Sequence, residues 1–181
     1  MKQSLEPIST LKKDQKSLLE RLKTIEKLSE FLSRTSQKAL NGLPLLTAQI
    51  KALQLDLQCH AQKEEQSLFS LMIDMERDQG AGFIVPLVTE HCDLETRCNE
   101  LETALDSLGS RQGEERRWQM LKIKELMHDL AELLRDHLHT ELKNLFPHIL
   151  QMLDSRERAL VTEQMDSIQN RYEEPAAALG Y

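Results

Sequence analysis

The sequence predicts an all-α protein, an antiparallel up-and-down four-helix bundle with an additional C-terminal helix. Leu, Glu, Lys, Gln, Arg and Ala dominate the composition, and these residues favour helices. No alternating run of Val, Ile and Thr indicates a sheet. Gly and Pro occur only 6 and 5 times in 181 residues, so they leave long helices with short connections, which favours antiparallel neighbours.

Glycine and proline divide the chain into five predicted helices within a single domain, 1–181. These helices cover about 8–38, 44–75, 86–108, 114–146 and 155–172, with connections at 78–82 and 109–113. Asn41-Gly42 ends the first helix, and Pro147 kinks or ends the fourth. The bundle occupies about 8–153, the fifth helix packs as an appendage, and residues 173–181 form a loose tail.

Charge and hydropathy argue against several functional classes. The net charge is −7 and no dense Lys/Arg block occurs, so we expect no nucleic-acid binding. No apolar run reaches the roughly 18 to 20 residues of a membrane span, and the first residues lack the apolar core of a signal peptide. The 3 cysteines lack zinc-type spacing, which favours a reduced, cytoplasmic protein.

Three of the predicted helices place a histidine on the face that points into the bundle. Apolar residues recur on this face at steps of three and four, which is the period of a helix. The inward histidines, and the two glutamates that follow them by one turn, are His60, Glu64, His91, His137 and Glu141. His128 and His139 lie about 180° and 200° away from His137 around the fourth helix, so we expect both to face solvent.

The inward glutamates favour a metal site. Burying an ionised carboxylate without a partner costs several kcal/mol, and a cation would offset that cost. A lone inward histidine is more often a hydrogen-bonded core residue, and a single His/Glu pair is usually an ordinary helix contact. Two such pairs and a third histidine on separate helices favour a metal instead, and imidazole and carboxylate both suit iron.

Two segments carry a resemblance to a known family. HAQKEEQSLF at 60–69 and HLHTELKNLFP at 137–147 resemble the two repeated metal motifs of hemerythrin-like, or HHE cation-binding, domains. Glu90-His91 resembles the third-helix motif of the same family. The resemblance extends over about 11–153, and the spacing of the motifs is more specific than any one of them.

The resemblance implies a four-helix bundle around a non-haem di-iron centre. Glu64 and Glu141 would bridge two irons in such a centre. His60 would ligate one iron, and His91 and His137 would ligate the other. An open coordination position would bind dioxygen, nitric oxide or another small ligand.

The sequence departs from the family pattern on the first helix, where a histidine is expected and Gln15 occurs. Glutamine offers a metal only a neutral amide carbonyl. Three alternatives therefore stay open: two irons, a single iron, or a degenerate site within an intact bundle. Glu26 could compensate for Gln15, although it is more readily explained as a solvated residue. The third helix also offers no second histidine, and Glu95, one turn after His91, is the substitute there.

Three functions are compatible with this pattern. The motifs favour a protein that binds a small diatomic ligand at iron, or that holds iron. A metal-free helical interaction module, which could form a homodimer, is the alternative that Gln15 motivates. A di-iron oxidase ranks below both, because the sequence specifies no substrate pocket and its one Glu-x-x-His motif, at 125–128, ends in the outward His128.

Overall fold

The computed structural model describes residues 7–32, 41–75 and 81–178, and these residues are almost entirely helical. No strand occurs in the three ranges, which confirms the predicted all-α class. Within the same ranges, none of the helices combines the length and the apolar character that crossing a bilayer requires.

The first two helices form one side of the bundle. α1 is Pro7–Leu32. α2 consists of an α-helix, Leu43–Lys63, a π-helical stretch, Glu64–Phe69, and a final α-helical stretch, Ser70–Met75. The predicted end of the first helix, near residue 38, lies outside the described residues.

The remaining helices complete the bundle and add a fifth element. α3 is Ala81–Leu108, and α5 is Ser155–Ala178. α4 consists of an α-helix, Gly113–Thr140, a π-helical stretch, Glu141–Leu145, and an α-helical end, Phe146–Met152. α2 and α4 thus share one organisation, in which a π-helical stretch interrupts an α-helix.

Three predicted boundaries are wrong, and prolines account for two of them. α3 begins at Ala81 rather than at Pro86, so the proline lies inside the helix, where it removes one backbone hydrogen bond, the one to the carbonyl of Gly82. α4 continues past Pro147 to Met152. The predicted tail 173–181 is helical as far as Ala178, and its last three residues lie outside the described part of the chain.

Polar contacts between helices show that consecutive helices run antiparallel. Asp14 pairs with Lys63, whereas Arg21, farther along α1, pairs with the earlier Asp56 of α2. The same reversed order relates α2 to α3 and α1 to α4, in the pairs Gln54–Asn99, Gln58–Glu95, Gln15–Glu141 and Glu26–Arg135. The four helices therefore form a closed antiparallel ring, and α5 packs outside it against α1 and α2.

Two apolar clusters fill the interior at opposite ends of the bundle. The first lies among α1 to α4, and α5 contributes to the second. Representative members are Leu22, Leu53 and Leu130 in the first cluster and Leu11, Leu68 and Met165 in the second. Along each of the four bundle helices, the predicted metal ligands or Gln15 lie between the two clusters. A polar layer therefore separates the two halves of the core.

Candidate metal centre

α2 and α4 bring their two His/Glu pairs together in this polar layer. His60 and His137 are each 1% exposed, and Glu64 and Glu141 are fully buried. One potential ligand atom from each of these four residues lies within 4.8 Å of those of the other three. The i,i+4 spacing therefore gives each helix a two-residue arm, and antiparallel packing makes the two arms face each other.

The glutamate of each arm is the first residue of a π-helical stretch. π-Helical turns are rare and often occur at functional sites. In α4 the stretch ends at Leu145, two residues before Pro147, which cannot donate a backbone hydrogen bond, and the N–H of Phe146 donates to the carbonyl of Glu141. In α2 the Ser67 hydroxyl donates to the carbonyl of Lys63. Both helices thus widen at the same point relative to their His-x-x-x-Glu motif.

His91 joins the cluster from α3. Its Nε2 atom lies 3.4 Å from Glu64 Oε2, and its ring centroid lies 4.8 Å from that of His137. The structure therefore gathers all five sequence-predicted ligands around one region of the core.

Two of the histidines are each held by a second carboxylate on the side away from the cluster. His91 Nδ1–H donates to Glu65 Oε1 at 2.7 Å, and His137 Nδ1–H donates to Glu90 Oε2 at 2.8 Å. Metal-binding histidines usually have such a partner, which fixes the ring and leaves Nε2 free to bind the metal. The sequence analysis gave no role to Glu65, although it directly follows Glu64.

His60 has a related but longer contact with α1. Its Nδ1 atom lies 3.9 Å from Asp14 Oδ2, beyond hydrogen-bonding distance. The same Asp14 oxygen accepts a hydrogen bond from the ammonium of Lys63 at 2.7 Å. Lys63 is 1% exposed, and its Nζ also donates to Gln169 Oε1 of α5 at 2.6 Å. The sequence analysis did not predict Lys63, because a lysine beside a glutamate normally extends into solvent.

Gln15, which occurs where the resemblance leads us to expect a histidine, lies in the cluster. Its Nε2 donates a 2.6 Å hydrogen bond to Glu141 Oε2. The other carboxylate oxygen of Glu141 faces His60 Nε2 at 3.2 Å and His137 Nε2 at 2.5 Å. Gln15 is therefore bound to a predicted ligand through a donor group.

The two other residues considered as substitute ligands point elsewhere. Glu26 is partly exposed and pairs with Arg135 at 2.7 Å. Glu95 is exposed and accepts a hydrogen bond from Gln58. His128 and His139 are exposed, as predicted.

Several buried atoms of the cluster have no hydrogen-bond partner. Among the described residues, these side-chain atoms are His60 Nδ1, both carboxylate oxygens of Glu64, His91 Nε2 and His137 Nε2. Leaving a buried polar atom unpaired costs about 1–3 kcal/mol, so such atoms rarely gather by chance. Imidazole nitrogens and carboxylate oxygens with free lone pairs are the donors that a divalent transition metal accepts, so these residues fit a cation.

The charges of the cluster shift its pKa values in opposite directions. Burial and the charge of Glu141 raise the pKa of Glu64. The pKa of Glu141 is lowered, because the charge of His60 and the close contacts of the His137 and His60 rings with its carboxylate outweigh burial. Burial also lowers the pKa of His91, but the nearby carboxylates of Glu64 and Glu65 outweigh it and raise that pKa to about 9. Without a metal, protons therefore supply the positive charge that the carboxylates need.

A cavity of about 340 Å³ lies between α2 and α3 beside the cluster. Its lining includes His60, His91, Glu65, Cys92 and Tyr172. Two of the clustered histidines therefore border a space that is larger than a diatomic molecule.

Comparison with known proteins agrees with the geometry. The family model described as "Hemerythrin HHE cation binding domain" matches residues 6–149. The search of curated proteins and the search of solved structures each found no match. The matched segment contains both His-x-x-x-Glu motifs, His91 and Gln15.

Proposed function

Because the chain belongs to the hemerythrin HHE cation-binding family, we propose that it is a non-haem iron protein that binds a small ligand such as dioxygen or nitric oxide. The proposed ligands of the iron are His60, Glu64, His91, His137 and Glu141. The observation that carries the proposal is the convergence of buried, unpaired imidazole and carboxylate atoms from three helices.

Iron is the metal that this donor set and its surroundings favour. A mixture of imidazole and carboxylate ligands with an open position is typical of non-haem ferrous sites. The two carboxylates, Glu64 and Glu141, would neutralise a divalent charge within an otherwise apolar core. When bound, ferrous iron would supply an open coordination position with affinity for a diatomic ligand.

The protein's own residues would orient the ligands and admit the small molecule. Glu65 and Glu90 accept the Nδ1–H bonds of His91 and His137, which directs the Nε2 atoms inward. The cavity between α2 and α3 would give a diatomic molecule access beside His91. The two apolar clusters on either side of the polar layer would limit the entry of water from the ends of the bundle.

Anaerobic loading with ferrous iron tests the proposal. We expect iron to remain with the protein through gel filtration, and nitric oxide to give a new absorption band and a paramagnetic adduct. The adduct should be absent from protein treated with a chelator before the gas is added. Only trace iron after both aerobic and anaerobic reconstitution would contradict the proposal.

We expect metal affinity to rise with pH from about 6 to about 9. In the metal-free protein His91 has a pKa of about 9. The pKa of His60 is raised well above its usual value, because the carboxylates of Glu141 and Asp14 outweigh burial. Both rings are thus protonated at neutral pH, and a metal must displace these protons because it binds neutral imidazole.

Calorimetry measures this proton release directly. Titrating the protein with Co²⁺ at pH 7 in two buffers of different ionisation enthalpy gives the number of protons released per ion. We expect between one and two protons, and a smaller number at pH 9. Equal heats in the two buffers would show that the histidines are already neutral.

A further inference from the structure

The α1 side of the centre differs from the other sides, because it presents an amide and an ammonium instead of free ligand atoms. We propose that the centre takes one metal ion rather than two, and that Gln15 and Lys63 fill the side where a second ion would bind. This inference rests on the proposed function and specifies its stoichiometry.

Gln15 engages the one carboxylate oxygen that a second ion would need. A carboxylate that bridges two ions with one oxygen on each ion uses both oxygens, but Glu141 Oε2 accepts a 2.6 Å hydrogen bond from Gln15 Nε2. The amide NH₂ group has no lone pair to offer a metal. Reversing the amide would place two oxygens at that short distance, so the NH₂ group belongs beside Glu141. Only Oε1 of Glu141 then remains directed at the histidines.

Lys63 is paired with Asp14, the other side chain of α1 that could bind a metal ion. Asp14 is the α1 carboxylate nearest to His60, and its Oδ2 lies 2.7 Å from Lys63 Nζ. The ammonium is buried and is also held by Gln169 of α5. A metal ion on this side would have to displace Lys63 from Asp14 and would be repelled by its charge. Lys63 therefore acts as a fixed internal cation of the bundle.

The charge of the carboxylates and the distances between the ligand atoms also match a single metal ion. Glu64 and Glu141 carry two negative charges, which one divalent ion balances, while Asp14 and Lys63 balance each other. Bonds of about 2.0–2.2 Å place opposite ligand atoms of one ion at most about 4.4 Å apart. The four atoms from the two arms already lie within 4.8 Å of one another, so small side-chain movements suffice.

The inference is tested by counting the ions that bind to the full chain and to two variants of Gln15. Each protein is loaded anaerobically with ferrous iron, passed through gel filtration and analysed for iron per chain by elemental mass spectrometry. We expect one ion for the parent chain and two for the double variant Gln15→His, Lys63→Met, which removes the amide and the ammonium, adds an imidazole and frees the Asp14 carboxylate. Gln15→Leu removes the amide without adding a ligand, so it should bind one ion.

The magnetic properties of the parent chain provide a measurement that needs no variant. After oxidation, one ferric ion gives an isolated paramagnetic signal, whereas two bridged ferric ions couple and lose it. Two ions in the parent chain, a coupled pair, or a Gln15→His, Lys63→Met variant that still binds one ion would overturn the single-ion inference. A parent chain that binds no iron would overturn the proposed function itself, so the two failures are distinguishable.

Discussion

Replacing His137 with alanine is expected to weaken metal binding at least about 100-fold, whereas the same change at His139 should leave it unaltered. His137 lies at the centre of the cluster, with Nε2 2.5 Å from Glu141 and its ring next to those of His60 and His91. Its loss removes a ligand and frees Glu90, which currently fixes the ring. The change should therefore affect both the donor set and the charge balance of the site.

His139 is a matched control for this substitution. It lies two residues farther along α4, is exposed, and would lose the same imidazole from the same helix. Co²⁺ titration followed by absorption compares the two variants with the parent chain, and far-UV circular dichroism verifies that both remain helical. Similar Co²⁺ affinities for the two variants would be incompatible with a centre at His137.

The ligand positions were predictable because helical periodicity determines which residues face inward. On α3, Ile84, Leu87, His91, Leu94 and Cys98 follow one face, and all of them are buried. A polar residue that continues such a face is placed in the core by its apolar neighbours. The same reasoning correctly directed His128 and His139 to the surface.

The partners of the ligands were less predictable, because periodicity does not specify contacts between helices. Glu65, Glu90 and Asp14 each lie next to a residue that the sequence analysis had placed at the site, and this adjacency was the available signal. Lys63 is also adjacent to a predicted ligand, Glu64, but a lysine normally extends into solvent, so adjacency did not indicate its burial. Its burial depends on Asp14 and on Gln169 of α5, a helix predicted only as an appendage.

The ends of the helices were also hard to predict from local sequence signals such as proline. Pro147 was expected to kink or end its helix, but α4 does not end there and continues to Met152 after the π-helical stretch Glu141–Leu145. The continuation places Phe146 and Ile149 in the second apolar cluster. Tertiary burial therefore outweighs the local cost of the proline in this helix.

The buried pair of Asp14 and Lys63 leads to the largest expected change in stability, and the two partners should not be equivalent. Asp14→Ala leaves the ammonium of Lys63, at 1% exposure, without a carboxylate, and should lower the free energy of unfolding by about 3–5 kcal/mol. Lys63→Met leaves Asp14 with a side chain that is 21% exposed and can reach water, so about 1–3 kcal/mol is expected.

Urea unfolding of the metal-free protein measures both effects. The double variant Asp14→Leu, Lys63→Met replaces the ion pair with apolar groups and should recover most of the lost stability, because no buried charge remains uncompensated. Lys16→Met is the control, since the exposed Lys16–Glu20 pair should contribute less than about 1 kcal/mol. A double variant as unstable as Asp14→Ala would mean that the stability of the fold depends on the ion pair itself. If Lys63 is an internal cation of the bundle, the double variant should instead be more stable than Asp14→Ala. Most of the stability lost in Asp14→Ala would then come from the ammonium that is left without a carboxylate.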